Sequence, residues 1–137
     1  MEDIAKAAET VIKKLSKKNL YKNSTMKIPV LTTSQIRKIL TAINTISNKI
    51  SIYKAHNPRK NELSEELVSE IQYLKVKIVY QVGKDDSHEK AVKEFVEYAD
   101  LINKINNIGR DIKKYEEFSK YIEALVAYHK FYGGKDK

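Results

Sequence analysis

The stretch YLKVKIVYQVGK, residues 73–84, decides how this chain is read. At about 100° per residue, Leu67, Ile71, Leu74, Ile78 and Val82 fall on one side, which predicts an amphipathic helix closing near Gly83. Tyr73, Lys77, Tyr80 and Lys84 share a second stripe, roughly 60° wide by the same count. Interleaved tyrosines and lysines suit a phosphate backbone, because the ammonium neutralises charge while the ring packs on sugars or stacks on bases. The same residues also suit a plainer role, in which their apolar stems cover the core from a half-exposed face.

Upstream of this helix, Asn57-Pro58-Arg59-Lys60-Asn61 reads as a turn, and Glu62, Glu65, Glu66 and Glu70 place acid in the first turns, where the helix dipole favours it. These carboxylates read as structural. Further upstream, Leu31-Thr32-Thr33-Ser34-Gln35-Ile36 is the clearest helix start: Thr32 and Gln35 form a capping box, with Leu31 and Ile36 at the hydrophobic-staple positions. Ile36, Ile39, Leu40, Ile43, Ile46 and Ile50 are its expected buried stripe until Asn57-Pro58 ends it. Arg37, Thr41, Asn44 and Asn48 line a polar stripe, open either to phosphates and sugars or to solvent alone.

At the N-terminus, Ile4, Ala8, Val11, Ile12 and Leu15 predict a short helix over residues 4–18, with Lys13, Lys14, Lys17 and Lys18 towards its C-terminal end. Residues 19–31 read as a connector, carrying Lys22 and Lys27. After Gly83, Asp86 and Glu89 suggest a second capping box, opening a helix that carries Val92, Phe95, Val96, Ala99 and Ile102 as far as Asn106-Asn107-Ile108-Gly109. A last helix, about Tyr115 to Tyr132, is expected to bury Phe118, Tyr121, Ile122, Leu125 and Tyr128 before Gly133-Gly134 stops it. The rings of Tyr128, Phe131 and Tyr132 are crowded enough that some are expected to meet another chain. The expected fold is all-α, a compact bundle of about five helices in one domain, residues 1–137.

The chain has 137 residues and no cysteine, which excludes disulfides, thiolate metal sites and cysteine nucleophiles. It begins without a basic n-region and apolar block, and no apolar run approaches the ~18 residues of a membrane span, so a cytoplasmic protein is expected. Its charge is +8, from 26 Lys and Arg against 18 Asp and Glu, mostly lysine and spread along the chain. Basicity spread over a folded domain favours polyanions, although a lysine-rich composition alone has other origins.

Enzymatic chemistry finds no foothold. His56, His88 and His129 lie far apart without metal-ligand spacing and read as surface or packing residues. Asp85-Asp86 would need distant help to bind a divalent ion, and the four glycines make no phosphate cradle. No enzymatic activity, cofactor or metal is expected.

Three segments together resemble the small subunit of the type III-A CRISPR interference complex, the Csm complex. They are LTTSQIRK at 31–38, YLKVKIVYQVGK at 73–84 and YIEALVAYHKFYGGK at 121–135, in matching order and spacing. The resemblance covers roughly residues 31–135, leaving residues 1–30, the first helix and its connector, as the least family-like part. It implies a small helical protein without nuclease activity, several copies of which line up beside the backbone subunits and face the guide RNA–target RNA duplex. The implied partners are guide RNA and target RNA, the backbone and large subunits and further copies of itself, with no membrane.

Carried over by motif, the resemblance makes Arg37 and Lys38, Lys75 and Lys77, and Lys84 phosphate-contact candidates, beside Tyr73 and Tyr80 of the basic aromatic stripe. The family commonly has Ala-Gly-Arg where this chain has Val82-Gly83-Lys84, so a bidentate arginine contact becomes a single lysine contact. Two other classes stand beside this reading. One is a DNA-binding regulator using a helix-turn-helix, the other a small helical adaptor that binds only protein.

Overall fold

Thr32 starts the longest helix as its sequence predicts. In the computed structural model, which describes residues 3–22, 31–85 and 90–132, its hydroxyl accepts from the Gln35 N–H at 3.1 Å and its own N–H donates to Gln35 Oε1 at 2.8 Å. Leu31 and Ile36 are both buried beside this box. The helix it opens, α2, runs Thr33–His56 and buries Ile36, Ile39, Ile43, Ile46 and Ile50. Each such burial contributes about 1.5–3 kcal/mol against about 1 kcal/mol for a cap, so the stripe stabilises the helix and the box sets its first residue.

The other helices among the described residues are α1 Ile4–Lys22, α3 Glu65–Lys84, α4 Ala91–Ala99, α5 Leu101–Ile108 and α6 Ile112–Phe131. The fold is all-α, with six helices where about five were expected and no strand among the described residues. α6 is the spine, packed against α1, α2 and α5, while α3 lies on α2, α4 and α5, and α1 also meets α4. The turn between α2 and α3 is tied to the α5–α6 turn by backbone bonds from Leu63 N to Arg110 O at 2.8 Å and from Ile112 N to Asn61 O at 3.2 Å.

The additional helix comes from Asp100. It takes φ +57°, a left-handed conformation that short polar side chains tolerate, and there the expected single helix divides into α4 and α5. A continuous helix would have carried the buried face of Val92, Phe95, Val96 and Ala99 on to Ile102. The break turns Leu101, Ile105 and Ile108 inward instead and leaves Ile102 half-buried. Gly109, at φ +56°, then ends α5.

Several boundaries move. α1 continues to Lys22, so residues 19–22 are helix rather than connector, and the rest of that connector, with Lys27, lies outside the described residues. α6 begins at Ile112, three residues before the expected start, because Asp111 Oδ1 accepts from the N–H groups of Lys113 at 2.9 Å and Lys114 at 3.3 Å. In the last turns of α6 the buried stripe passes through His129, and Tyr128 is only half-buried. Leu40 and Val82, at the margins of their stripes, are likewise half-buried. The capping box expected at Asp86 and Glu89, and the stop at Gly133-Gly134, lie outside the described residues.

Polar groups inside the core are placed by chain segments far apart in sequence. Tyr115 of α6 donates its hydroxyl to the Ile43 carbonyl of α2 at 2.8 Å and sits 2.9 Å from Ser47 Oγ. Burial pushes this phenol up to about 12. Among the described residues, no helix is long and apolar enough to cross a membrane.

Candidate nucleic-acid interface

α2 and α3 run antiparallel, and their side chains fix the register. Gln35 Nε2, in the first turn of α2, donates to Asp85 Oδ1 just past the end of α3 at 3.5 Å. Further along, Lys49 of α2 forms an ion pair with Glu70 of α3, which raises the Lys49 ammonium above its usual range. Asp85 is buried, and its other oxygen accepts from Val92 N at 2.9 Å, so one carboxylate joins the start of α2, the end of α3 and the first turn of α4. Of the acids expected early in α3, Glu65 lies 3.6 Å from Arg110 and Glu70, in the second turn, pairs with Lys49.

Between the two helices lies a groove of about 410 Å³. Ile39, Leu74 and Ile78 form its buried floor. Tyr73, Val76 and Tyr80 line it with most of their surface in solvent, 58%, 52% and 63% exposed, and Lys38 and Lys77 complete the rim. α2 contains no Asp or Glu, and α3 none after Glu70, so this end of the helix pair carries only positive charge until the buried Asp85. Lys84, at the end of α3, lies near Lys38, and its amine, by direct interaction and by its charge, holds Lys38 below the usual ammonium range.

The structure thus brings together Lys38, Tyr73, Lys77, Tyr80 and Lys84, five of the seven residues singled out from sequence. Arg37 is exposed on the outer face of α2, in line with Thr41, Asn44 and Asn48, and does not line the groove. Lys75 points elsewhere: it is half-buried and donates to Asn106 Oδ1 of α5 at 2.6 Å. Sequence reasoning missed the exposed valines, Val76 and Val79, the latter 60% exposed. Their signal was present, since both fall outside the Leu67–Ile78 stripe on a helical wheel.

A wider cleft, about 1020 Å³, lies near the other end of α3 and is less suited to a polyanion. There Lys60, Arg110 and Lys114 alternate with Glu62 and Asp111, which cancel much of the positive charge. No group of three or more His, Cys, Asp or Glu among the described residues could hold a metal ion. His56 is exposed, its Nδ1 2.9 Å from the Ile52 carbonyl, and His88 lies outside the described residues. His129 is 1% exposed with no partner for either ring nitrogen among the described residues, and burial lowers it to about 4, so its imidazole is neutral.

Residues 1–135 match the family model described as Csm2 Type III-A. The chain belongs to the Csm2 family. The match takes in the first helix and connector, which the segment resemblance alone left outside. Among curated proteins, the CRISPR system Cms protein Csm2 of Streptococcus thermophilus is 42% identical over 107 residues, covering 78% of this chain and 77% of that protein. The protein of the same name from Mycobacterium tuberculosis (strain CDC 1551 / Oshkosh) is 34% identical over 136 residues, 99% of this chain and 96% of that one. The Csm2 protein of Enterococcus italicus is 38% identical over 104 residues, 74% of this chain and 68% of that one. Membership in the Csm2 family agrees with the three segments that suggested it; the second lines one side of the groove, and the first reaches it at Lys38.

Proposed function

We propose that this chain is a non-catalytic small subunit of a type III-A CRISPR effector complex that helps assemble the complex and binds the guide RNA–target RNA duplex through sequence-independent phosphate contacts. The observation that carries the reading is the acid-free face on which Lys38, Lys77 and Lys84 surround Tyr73 and Tyr80. An A-form groove hides base edges from side chains, and the guide supplies specificity by pairing, so a lysine-lined face with no base-reading cluster matches the task. Family membership supports the assignment to the complex. Its partners are the guide and target RNAs, the backbone and large subunits and further copies of the chain, in cytoplasmic defence against viruses and plasmids. Phe131, 77% exposed at the end of α6, supports a subunit contact there.

The DNA-regulator reading gains nothing from α4 and α5. A single residue, Asp100, separates them where a helix-turn-helix has a turn of about three or four residues, and α5 commits Leu101, Ile105 and Ile108 to the core.

The test is binding of the full-length chain to an RNA duplex and to a DNA duplex of the same length over a salt series, with a cleavage assay in Mg²⁺ and Mn²⁺. Salt-dependent, sequence-independent binding that favours RNA, without cleavage, is expected. Tighter sequence-selective binding to DNA, or metal-dependent cleavage by the purified chain, overturns the proposal.

A further inference from the structure

We propose that Lys38 and Lys84 hold one RNA phosphate between them, and that Gly83 is glycine so that the strand carrying it can lie against α3. The proposal rests on the reading of this face as RNA-binding and adds a defined anion site to it.

The positions are fixed by the hydrogen bond between Gln35 and Asp85, 3.5 Å long. Lys38 lies one turn after Gln35 on the same face of α2, and Lys84 immediately precedes Asp85. Their amines lie near one another, the Lys84 amine by direct interaction and by its charge holding Lys38 below the usual ammonium range, and no described carboxylate pairs with either. Two neighbouring ammonium groups repel, and each has donors left over but no acceptor. A phosphodiester supplies what is missing, one negative charge and two non-bridging oxygens, one for each lysine.

Gly83 supplies the second, independent observation. It lies inside α3 with an ordinary helical φ, and a Cβ built on it meets nothing within 4 Å. Neither backbone conformation nor crowding within the described structure requires glycine there, although glycine is among the poorest helix formers. The open space above it adjoins Tyr80 and Val76, one and two turns earlier on α3, both exposed. Close approach by a backbone from outside the chain accounts for the residue. The absence of Asp and Glu from α2, and from α3 beyond Glu70, makes that backbone a polyanion rather than another helix of mixed charge.

The experiment measures binding of the full-length chain to a short RNA duplex by fluorescence anisotropy over a salt series, for Lys38→Ala, Lys84→Ala, the double variant, Lys77→Ala and Gly83→Ala. If one phosphate is shared, each lysine variant weakens binding to a similar extent and the double variant is little worse than either. The slope of log K against log[salt] then falls by about one contact, roughly 0.7–0.9, rather than two. Lys77→Ala, outside the pair, adds its loss to either. Gly83→Ala weakens RNA binding several-fold while raising the melting temperature, because alanine is the better helix former. Additive losses at Lys38 and Lys84, with Gly83→Ala binding as the unaltered protein does, overturn the shared site and leave the RNA-binding reading standing. An unaltered protein with no salt-dependent RNA binding overturns both.

Discussion

The Tyr121 hydroxyl of α6 donates to the Ala99 carbonyl at the end of α4 across 3.0 Å, inside the core. This contact lies next to Asp100, where the left-handed turn begins, and Asn103 Nδ2 donates to Asp100 Oδ1 at 2.9 Å on the outer side. The turn between α4 and α5 is thus held from both faces. Tyr121→Phe keeps the ring and removes the donor, so its expected cost is about 1–3 kcal/mol, the range for depriving a buried carbonyl of a partner. Urea unfolding followed by circular dichroism measures it, and a variant as stable as the unaltered protein would mean that the turn needs no support from α6.

The same contact explains what the sequence conceals. The start of α2 is legible because Thr32 and Gln35 are three residues apart and their bonds are local. The break at Asp100 follows Ala99, whose carbonyl is held by Tyr121, 22 residues further along the chain from Ala99, and apolar periodicity carries no sign of a left-handed residue. Asp111 is a common type of N-cap, but the breaking signals at Asn106-Asn107 and Gly109 obscured the start it marks. At the other end of α6, a strict preference for apolar residues selected Tyr128, whereas the helical spacing from Phe118 through Ile122 and Leu125 leads to His129. On the interface, the stripe of Tyr73, Lys77, Tyr80 and Lys84 follows from one helix alone. The approach of Lys38 to Lys84 follows only from the antiparallel register of two helices.

Asp85 joins three helices through Gln35 and Val92, so its loss is felt beyond one cap. Asp85→Ala is expected to lower stability by about 1–2 kcal/mol, the usual cost of losing a side-chain acceptor at a helix start. Asp85→Asn keeps an oxygen for the Val92 N–H and should recover most of that loss. Equal destabilisation by the two variants would place the role of Asp85 in its charge instead.

His129 makes stability depend on pH. Its ring titrates near 6.5 in the unfolded chain and at about 4 in the buried site, where desolvation, then the Lys130 charge, oppose protonation. Above pH 6.5 both states are neutral and the native state keeps its full stability. Between 6.5 and 4 the unfolded chain binds the proton first, so stability falls by an amount on the order of 3 kcal/mol, levelling below pH 4. Because carboxylates titrate in the lower part of this range, the measurement is the difference between the unaltered protein and His129→Leu, unfolded in urea from pH 7.5 to 4. The variant should show the shallower decline, and parallel curves would mean that the ring is hydrated in the native state.

Lys75 and Lys77 lie two positions apart on α3 and project about 160° from each other. Lys77 lines the groove between Tyr73 and Tyr80, whereas Lys75 is engaged by Asn106 of α5 at 2.6 Å. A phosphate approaching the groove therefore meets Lys77 and not Lys75. Lys77→Ala is expected to weaken RNA binding without unfolding the protein and to flatten log K against log[salt] by roughly 0.7–0.9, independent of RNA sequence. Lys75→Ala should leave the slope unchanged and lower stability by about 0.5–1.5 kcal/mol through the lost hydrogen bond. Arg37→Ala, on the outer face of α2, separates a second phosphate contact from a solvated side chain by the same readout. A flattened slope for Lys75→Ala beside an unchanged one for Lys77→Ala would turn α3 around, with the face towards α5 meeting RNA and the tyrosine groove left for a protein neighbour.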